Sequence, residues 1–332
     1  MKIRYYPIDF LKAVSILVII VLHYLSYSLS DKFIFNLWNW LHFVVTAFVF
    51  ASGYLFADQV NAKKFFHPLA YLKKRLLRLI LPYYYFLALR YALMFFAPFW
   101  FSGIGLQKTF GFFINSVFLL NGVDYSWFVL LFIQITLLSW LIGFLINRKV
   151  FLWLLMLISI LISVWFYLFK FPYNHYKWVM AFSWLWVYLL GYFTALYTNR
   201  EFKGLKARVL YLSLAGFFAV LFFSAGYVRG YFDVLTSNKY PPNIYYLSYG
   251  LSWALVLIFA GSFLTARVFK KVTAYLSAKS YELFFSHYLV LDFFVSNQGW
   301  LNFGHTINLL MILGLSLLVI IVFQLSFAKL KS

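Results

Sequence analysis

The feature that most constrains this chain is a run of apolar residues about twenty long, which recurs from end to end with only short polar turns between. A helix of that length rises about 30 Å, the thickness of a bilayer's hydrocarbon core. In that core a backbone satisfies its N–H and C=O groups only as a helix or a closed barrel. The runs predict an all-α integral-membrane protein, a bundle of about ten transmembrane helices. They lie near residues 8–29, 38–57, 80–100, 125–146, 150–170, 178–197, 209–228, 244–265, 280–296 and 307–327. Polar segments reach only loop length in a chain that is 65% hydrophobic and 11% charged, so residues 1–332 are expected to form a single transmembrane domain.

A net charge of +20 raises the question of a nucleic-acid partner, but the cations sit in the turns between apolar runs, where a membrane protein keeps its positive-inside charges. No nucleic-acid partner is expected. With a cytoplasmic N-terminus, twenty Lys and Arg residues fall inside and six outside, which predicts both termini in the cytoplasm and an even number of spans. The first span follows Lys2 and Arg4 as a signal peptide would, yet it is long and lacks a small-residue cleavage site. It reads as a retained helix. Trp38, Trp40, Trp127, Trp178 and Trp184 fall near expected external ends, as an interfacial aromatic belt would place them. The absence of cysteine excludes disulfides, thiolate catalysis and cysteine-ligated metals. His42, His67, His175 and His305 fall in or near loops at no metal-site spacing, so no metal is expected.

Two expensive residues sit inside the first span. Lys12 and His23 are eleven residues apart, which at 100° per residue is three turns plus roughly 20°, with a rise of about 16 Å. Both lie on one stripe. Lys12 could snorkel to the interface beside Asp9, and His23 could be a neutral imidazole satisfied within the bundle; an ionisable residue at membrane depth is equally a functional candidate. Tyr71, Lys74, Arg75 and Arg78 share a helix face at i, i+3, i+4 and i+7. That cluster suits anionic lipid headgroups or, as a clamp of guanidinium forks, the phosphates of a nucleotide-like cofactor. Arg90 falls near mid-membrane and needs an acceptor. In span 9, Ser280 and His287 share a face, whereas Glu282 and Asp292 each lie about 140° from His287, so no Ser/His/Asp relay forms within that helix. The two acids are expected to partner Arg90 or Lys12 across the bundle. Residues 101–124 form a connection with an apolar middle, Phe110 to Leu120, that is too short to span and reads as interfacial or re-entrant. The prolines at 241 and 242 read as a stiff start to span 8.

Together these residues resemble the acyltransferase-3 family of bacterial membrane acyltransferases. Lys12 followed by His23 is similar to the family's opening pattern of a basic residue, ten residues and a histidine. Phe48, Ser52, Gly53, Tyr54 and Leu55 match its second-span pattern, Phe-x-x-x-Ser-Gly-(Phe/Tyr)-Leu. Arg75 and Arg78, with Pro82 and Tyr83 beyond, match its cytoplasmic Arg-x-x-Arg. Tyr240-Pro241-Pro242 matches a late external loop, and Ser280, Tyr281, Glu282 and His287 its penultimate span. Lys12 stands where arginine is commoner and loses the bidentate fork. Trp127 to Gln134 lacks the glutamate some members carry there. The chain ends without the esterase-like domain of other members, which implies a stand-alone, O-acetyltransferase-like enzyme.

The resemblance implies transfer of an acyl group, acetyl first, from cytoplasmic acetyl-CoA or another acyl-CoA to a hydroxyl of an extracytoplasmic cell-surface or lipid-linked saccharide, in a bacterial plasma membrane. Arg75, Arg78 and Lys74 would hold the CoA phosphates, and Lys12 the pantetheine end or thioester carbonyl. His23 would be general base or transient acyl carrier, with His287 and Glu282 orienting or polarising. A different class of function is a polysaccharide exporter or flippase, which calls for a continuous polar path. Ionisable residues concentrate instead in spans 1, 3 and 9. A lipid-sensing or assembly protein would leave Lys12, His23 and Arg90 as structural ion pairing only.

Overall fold

The structure, a computed structural model, describes residues 5–61, 68–101, 109–120, 122–123, 125–169, 171–172, 175–200, 204–264, 266–297 and 304–329. Expectations that fell on Lys2, Arg4, His67 and residues 102–108 of the 101–124 connection lie outside these residues. The described residues form twelve α-helices, in chain order α1 (Tyr6–Leu25), α2 (Lys32–Trp40), α3 (Val44–Asn61), α4 (Pro68–Phe96), α5 (Phe110–Val117), α6 (Ser126–Leu145), α7 (Lys149–Leu168), α8 (Tyr176–Arg200), α9 (Leu205–Arg229), α10 (Ile244–Gly261), α11 (Arg267–Ser296) and α12 (His305–Lys329). Among the described residues there is no β-strand.

Eight helical stretches among the described residues are long and apolar enough to cross a membrane: α1, the run Lys32–Val60, α4, and α6 to α10. The second is longer than the sequence reading, because a 3-10 turn at Leu41–Phe43 continues α2 into α3. His42 is therefore buried inside a helical run, not in a loop. The last two expected spans fall on α11 and α12. In α11, Arg267, Lys270, Lys271, Lys279, Glu282 and Asp292 dilute an otherwise apolar helix, and in α12 the stretch with described side chains, His305–Ile321, is apolar but covers only part of the helix.

The chain divides into two compact units, to both of which α1, α4, α6 and α11 contribute residues. One comprises residues 1–15, 39–76 and 130–277. In it α3 packs on α8 and α10, α7 on α8, and α9 on α10. The α3–α8 crossing is very close: a Cβ added at Gly53 would lie 1.8 Å from the Tyr188 carbonyl oxygen, and one at Gly191 2.2 Å from that of Phe50. Small residues let two helix backbones meet this way in membranes, where dispersion and not water drives packing. On α7 the buried positions are Leu152, Ser159, Ser163, Phe166 and Tyr167, a helical stripe, while Leu154, Leu157, Ile158 and Leu161 face outward. Hydroxyls inside and leucines outside suit a lipid surround. Trp40 and Trp178 are exposed as an aromatic belt requires, but Trp184 is buried and meets Tyr246 edge-on, so it belongs to the core.

Before α10, the chain does not rely on its prolines alone. The Asn243 side chain caps the helix by accepting from the Tyr246 N–H at 3.2 Å and donates to Asn238 Oδ1 at 2.6 Å.

The other unit comprises residues 16–38, 77–129 and 278–332. The apolar segment after residue 109 forms the short helix α5, its start capped by Thr109 Oγ1, which accepts from Phe112 N–H at 3.2 Å. Tyr83 and Tyr84 of α4 fasten its far end by donating to the Ser116 and Val117 carbonyls at 2.5 and 2.8 Å. Trp100 Nε1 donates to the Leu289 carbonyl of α11 at 2.7 Å, and Phe128 stacks on Phe284. The Trp100 bond and the Phe128 stack hold the middle of α11, which carries His287 and Asp292, against its neighbours.

Candidate active site

Most side chains of α11 between Leu283 and Leu291 are buried, His287 completely. His287 Nδ1 lies 3.0 Å from the Leu283 carbonyl, one turn earlier in its own helix. A carbonyl only accepts, so Nδ1 carries the proton and the neutral ring presents a lone pair at Nε2. Nε2 is 2.9 Å from Nδ1 of His23 on α1, the two rings stacked nearly parallel at 5.2 Å. His23 Nδ1 must then donate. His23 Nε2 is left as an acceptor, and the Tyr288 hydroxyl stands 2.9 Å from it as donor. One backbone carbonyl thus sets the tautomers of two imidazoles and aims the His23 lone pair at a phenol.

Arg90 of α4 finds its acceptor nearby in the same unit. Its Nη2 is 2.9 Å from Asp292 Oδ2, both side chains almost fully buried, and its guanidinium lies over the rings of Phe101 and Tyr125. Tyr125 in turn leans on Tyr288, ring centroids 4.8 Å apart. Of the two acids, Asp292 therefore serves Arg90. Glu282 pairs with Lys279 one turn back, at 3.3 Å. It is not part of the histidine chain.

In the first unit Lys12 is half-buried, and its Nζ donates to the Ser277 carbonyl at 2.8 Å. The Ser277 hydroxyl donates to Asp9 Oδ1 at 2.6 Å. Asp9 and Lys12 both engage Ser277, the lysine through the backbone. On α4, Arg75 is half-buried over the Tyr71 ring at 5.4 Å, while Lys74 and Arg78 are exposed. The helix is continuous through Pro82, which keeps the spacing of that cationic face. His305 Nδ1 meets the Tyr24 hydroxyl at 3.0 Å, and no cluster of three or more His, Asp or Glu that could hold a metal occurs among the described residues.

The structure thus brings His23 and His287 together from 264 residues apart and leaves Lys12, Glu282 and the α4 cations each with its own partners or exposure. Tyr288, Tyr125 and Ser277 escaped the sequence reading. Tyr288 neighbours His287 in sequence, but adjacent helical residues point about 100° apart, so no periodicity ties it to a histidine on another helix.

The class defined so far is a polytopic helical membrane protein with a tautomer-locked histidine pair, His287 buried and His23 half-buried. A family model described as an acyltransferase domain matches residues 5–328, nearly the whole chain, and the protein belongs to the acyltransferase-3 family of membrane acyltransferases. Comparison with curated proteins and with solved structures finds no match.

Proposed function

We propose that this membrane acyltransferase moves an acyl group, acetyl foremost, from acyl-CoA on the cytoplasmic side to a hydroxyl of an extracytoplasmic cell-surface or lipid-linked saccharide. The setting is a bacterial plasma membrane, with ten spans, both termini cytoplasmic and one transmembrane domain. The observation that carries the reading is the His23 lone pair, held by His287 and the Leu283 carbonyl. A base oriented by a third group is the arrangement that activates a hydroxyl for attack on an acyl carbon. The proton of the acceptor hydroxyl goes to His23 Nε2, the acceptor oxygen bonds to the thioester carbon, the C–S bond breaks, and the imidazolium returns its proton to the departing thiolate. His287, with no exposed surface, orients and does not touch substrate. The same lone pair could instead take the acyl group for a moment, as a covalent carrier.

Arg75, Arg78 and Lys74 are assigned to the CoA phosphates, the planar guanidinium forks suiting phosphate oxygens. Lys12, whose Nζ donates to the Ser277 carbonyl, is assigned to the pantetheine end or the thioester carbonyl, which a cation can polarise. The test measures acetyl incorporation and radiolabelled acetyl-CoA binding on purified, membrane-inserted protein. His23→Ala should abolish transfer while still binding donor, and Arg75→Ala/Arg78→Ala should weaken binding by about tenfold or more, the cost of two charge-assisted contacts. Full transfer by the first variant removes His23 from the chemistry, and unchanged affinity in the second removes the clamp.

A further inference from the structure

The locked tautomers raise a difficulty for a simple base mechanism: the lone pair that should accept the substrate's proton already faces a protein hydroxyl. We infer that the Tyr288 hydroxyl relays the proton between the acceptor and His23, an inference that rests on the acyl-transfer reading above.

Three observations carry it. First, the direction of the chain is set from its buried end. The Leu283 carbonyl fixes His287, His287 fixes His23, and His23 Nε2 accepts from Tyr288 at 2.9 Å. Second, exposure falls along the same chain. Tyr288 and His23 are half-buried, whereas His287 is sealed, so a substrate hydroxyl reaches the phenol end and not the carbonyl end. Third, the phenol is held on several sides. Its ring lies 4.7 Å from that of His23, 4.5 Å from His287, 5.6 Å from Phe284 and 4.8 Å from Tyr125. One layer out, Arg90, paired with Asp292, lies over Tyr125. A side chain packed in this way is already oriented for proton transfer.

A phenol suits the task because its oxygen can accept one proton while giving up another. In the transfer step the acceptor's O–H proton moves to the Tyr288 oxygen as the phenolic proton moves to His23 Nε2. The acceptor oxygen forms its bond to the thioester carbon, and the C–S bond breaks. The thiolate then takes the proton from the imidazolium. Tyr288 ends as it began, and the net change is alcohol plus thioester to ester plus thiol.

The experiment compares the wild-type protein, Tyr288→Phe and His23→Ala, each purified in detergent and checked by thermal melting and acetyl-CoA binding. The rate of acetyl transfer is followed in mixtures of H2O and D2O. For the wild type the expected dependence on deuterium fraction is curved, two protons moving together. Tyr288→Phe should lose about 100-fold or more in kcat, within the usual range for proton-transfer catalysis, with acetyl-CoA affinity unchanged and any remaining rate showing a linear, one-proton dependence. A near-normal kcat in Tyr288→Phe overturns the relay and makes Tyr288 a side chain the acceptor displaces. Should that variant fail to fold, a linear dependence in the wild type alone overturns the proposal and a curved one supports it. Full activity in His23→Ala sinks the acyl-transfer reading beneath it, an outcome distinct from failure of the relay.

Discussion

Arg90 and Asp292 illustrate what a single residue costs at membrane depth. Each is nearly fully buried, and their 2.9 Å contact, with the guanidinium over Phe101 and Tyr125, is what makes either tolerable. Removing one partner strands the other's charge, a loss of about 3–5 kcal/mol, while replacing both by apolar side chains of similar size is close to neutral. Arg90→Met and Asp292→Leu should each lower the detergent melting temperature sharply, and the double variant should recover most of it. If the double variant stays as unstable as the singles, the pair has a role beyond mutual neutralisation. The need of Arg90 for a partner was readable from its depth in the chain, and Asp292 was one of two acids named for it. Choosing between Asp292 and Glu282 took the fold, since both lie at the same angle from His287 and only three-dimensional proximity separates them.

At the scale of an element, the turn that leads into α10 holds a prediction about pH. Lys239 closes a 3-10 turn, Leu235–Asn238, and lies over the Tyr240 ring at 5.0 Å, beside the asparagine cap that starts the helix. Burial pushes it down from the ordinary 10.5 to about 7. The folded protein therefore binds fewer protons at this site than the unfolded chain between those two values, and the site's contribution to stability rises with pH across that window. Below about pH 7 both states are protonated and the dependence ends. Lys239→Met should thus be more stable than the wild type at pH 7, with the gap closing as pH is raised towards 9. A gap that is constant with pH would show that the lysine is not titrating there. The prolines before α10 had suggested a stiff start to the helix. The asparagine cap that also holds it depends on a side chain folding back onto a turn, which residue types alone do not specify.

For the whole molecule, the distribution of cations makes a claim that chemistry can check. Twenty of the Lys and Arg residues were assigned to one side by the positive-inside pattern, which places the start of α11 and the segment after α9 on opposite faces of the membrane. The chain has no cysteine, so single cysteines can be introduced without background. In oriented vesicles, a membrane-impermeant thiol reagent should label Lys271→Cys from the cytoplasmic side and Tyr231→Cys, at an exposed position, from the other. Labelling of both from one side would overturn the ten-span arrangement.

Much of this protein was already decided by the order of its residues. Apolar runs of bilayer length leave a backbone little alternative to helices, so the all-helical membrane architecture followed from composition and spacing alone. Because an ionisable group in hydrocarbon is costly wherever it sits, Lys12, His23, Arg90 and His287 also stood out before any contact was known. Their partners did not. Helical periodicity relates residues within one helix, whereas the bond from His23 to His287 joins helices 264 residues apart, and it fixes the tautomer of His23. The same limit hid Lys12's bond to the Ser277 carbonyl and the Tyr288 hydroxyl at His23. Which residues are expensive is a property of the chain, and what compensates them is a property of how its helices pack.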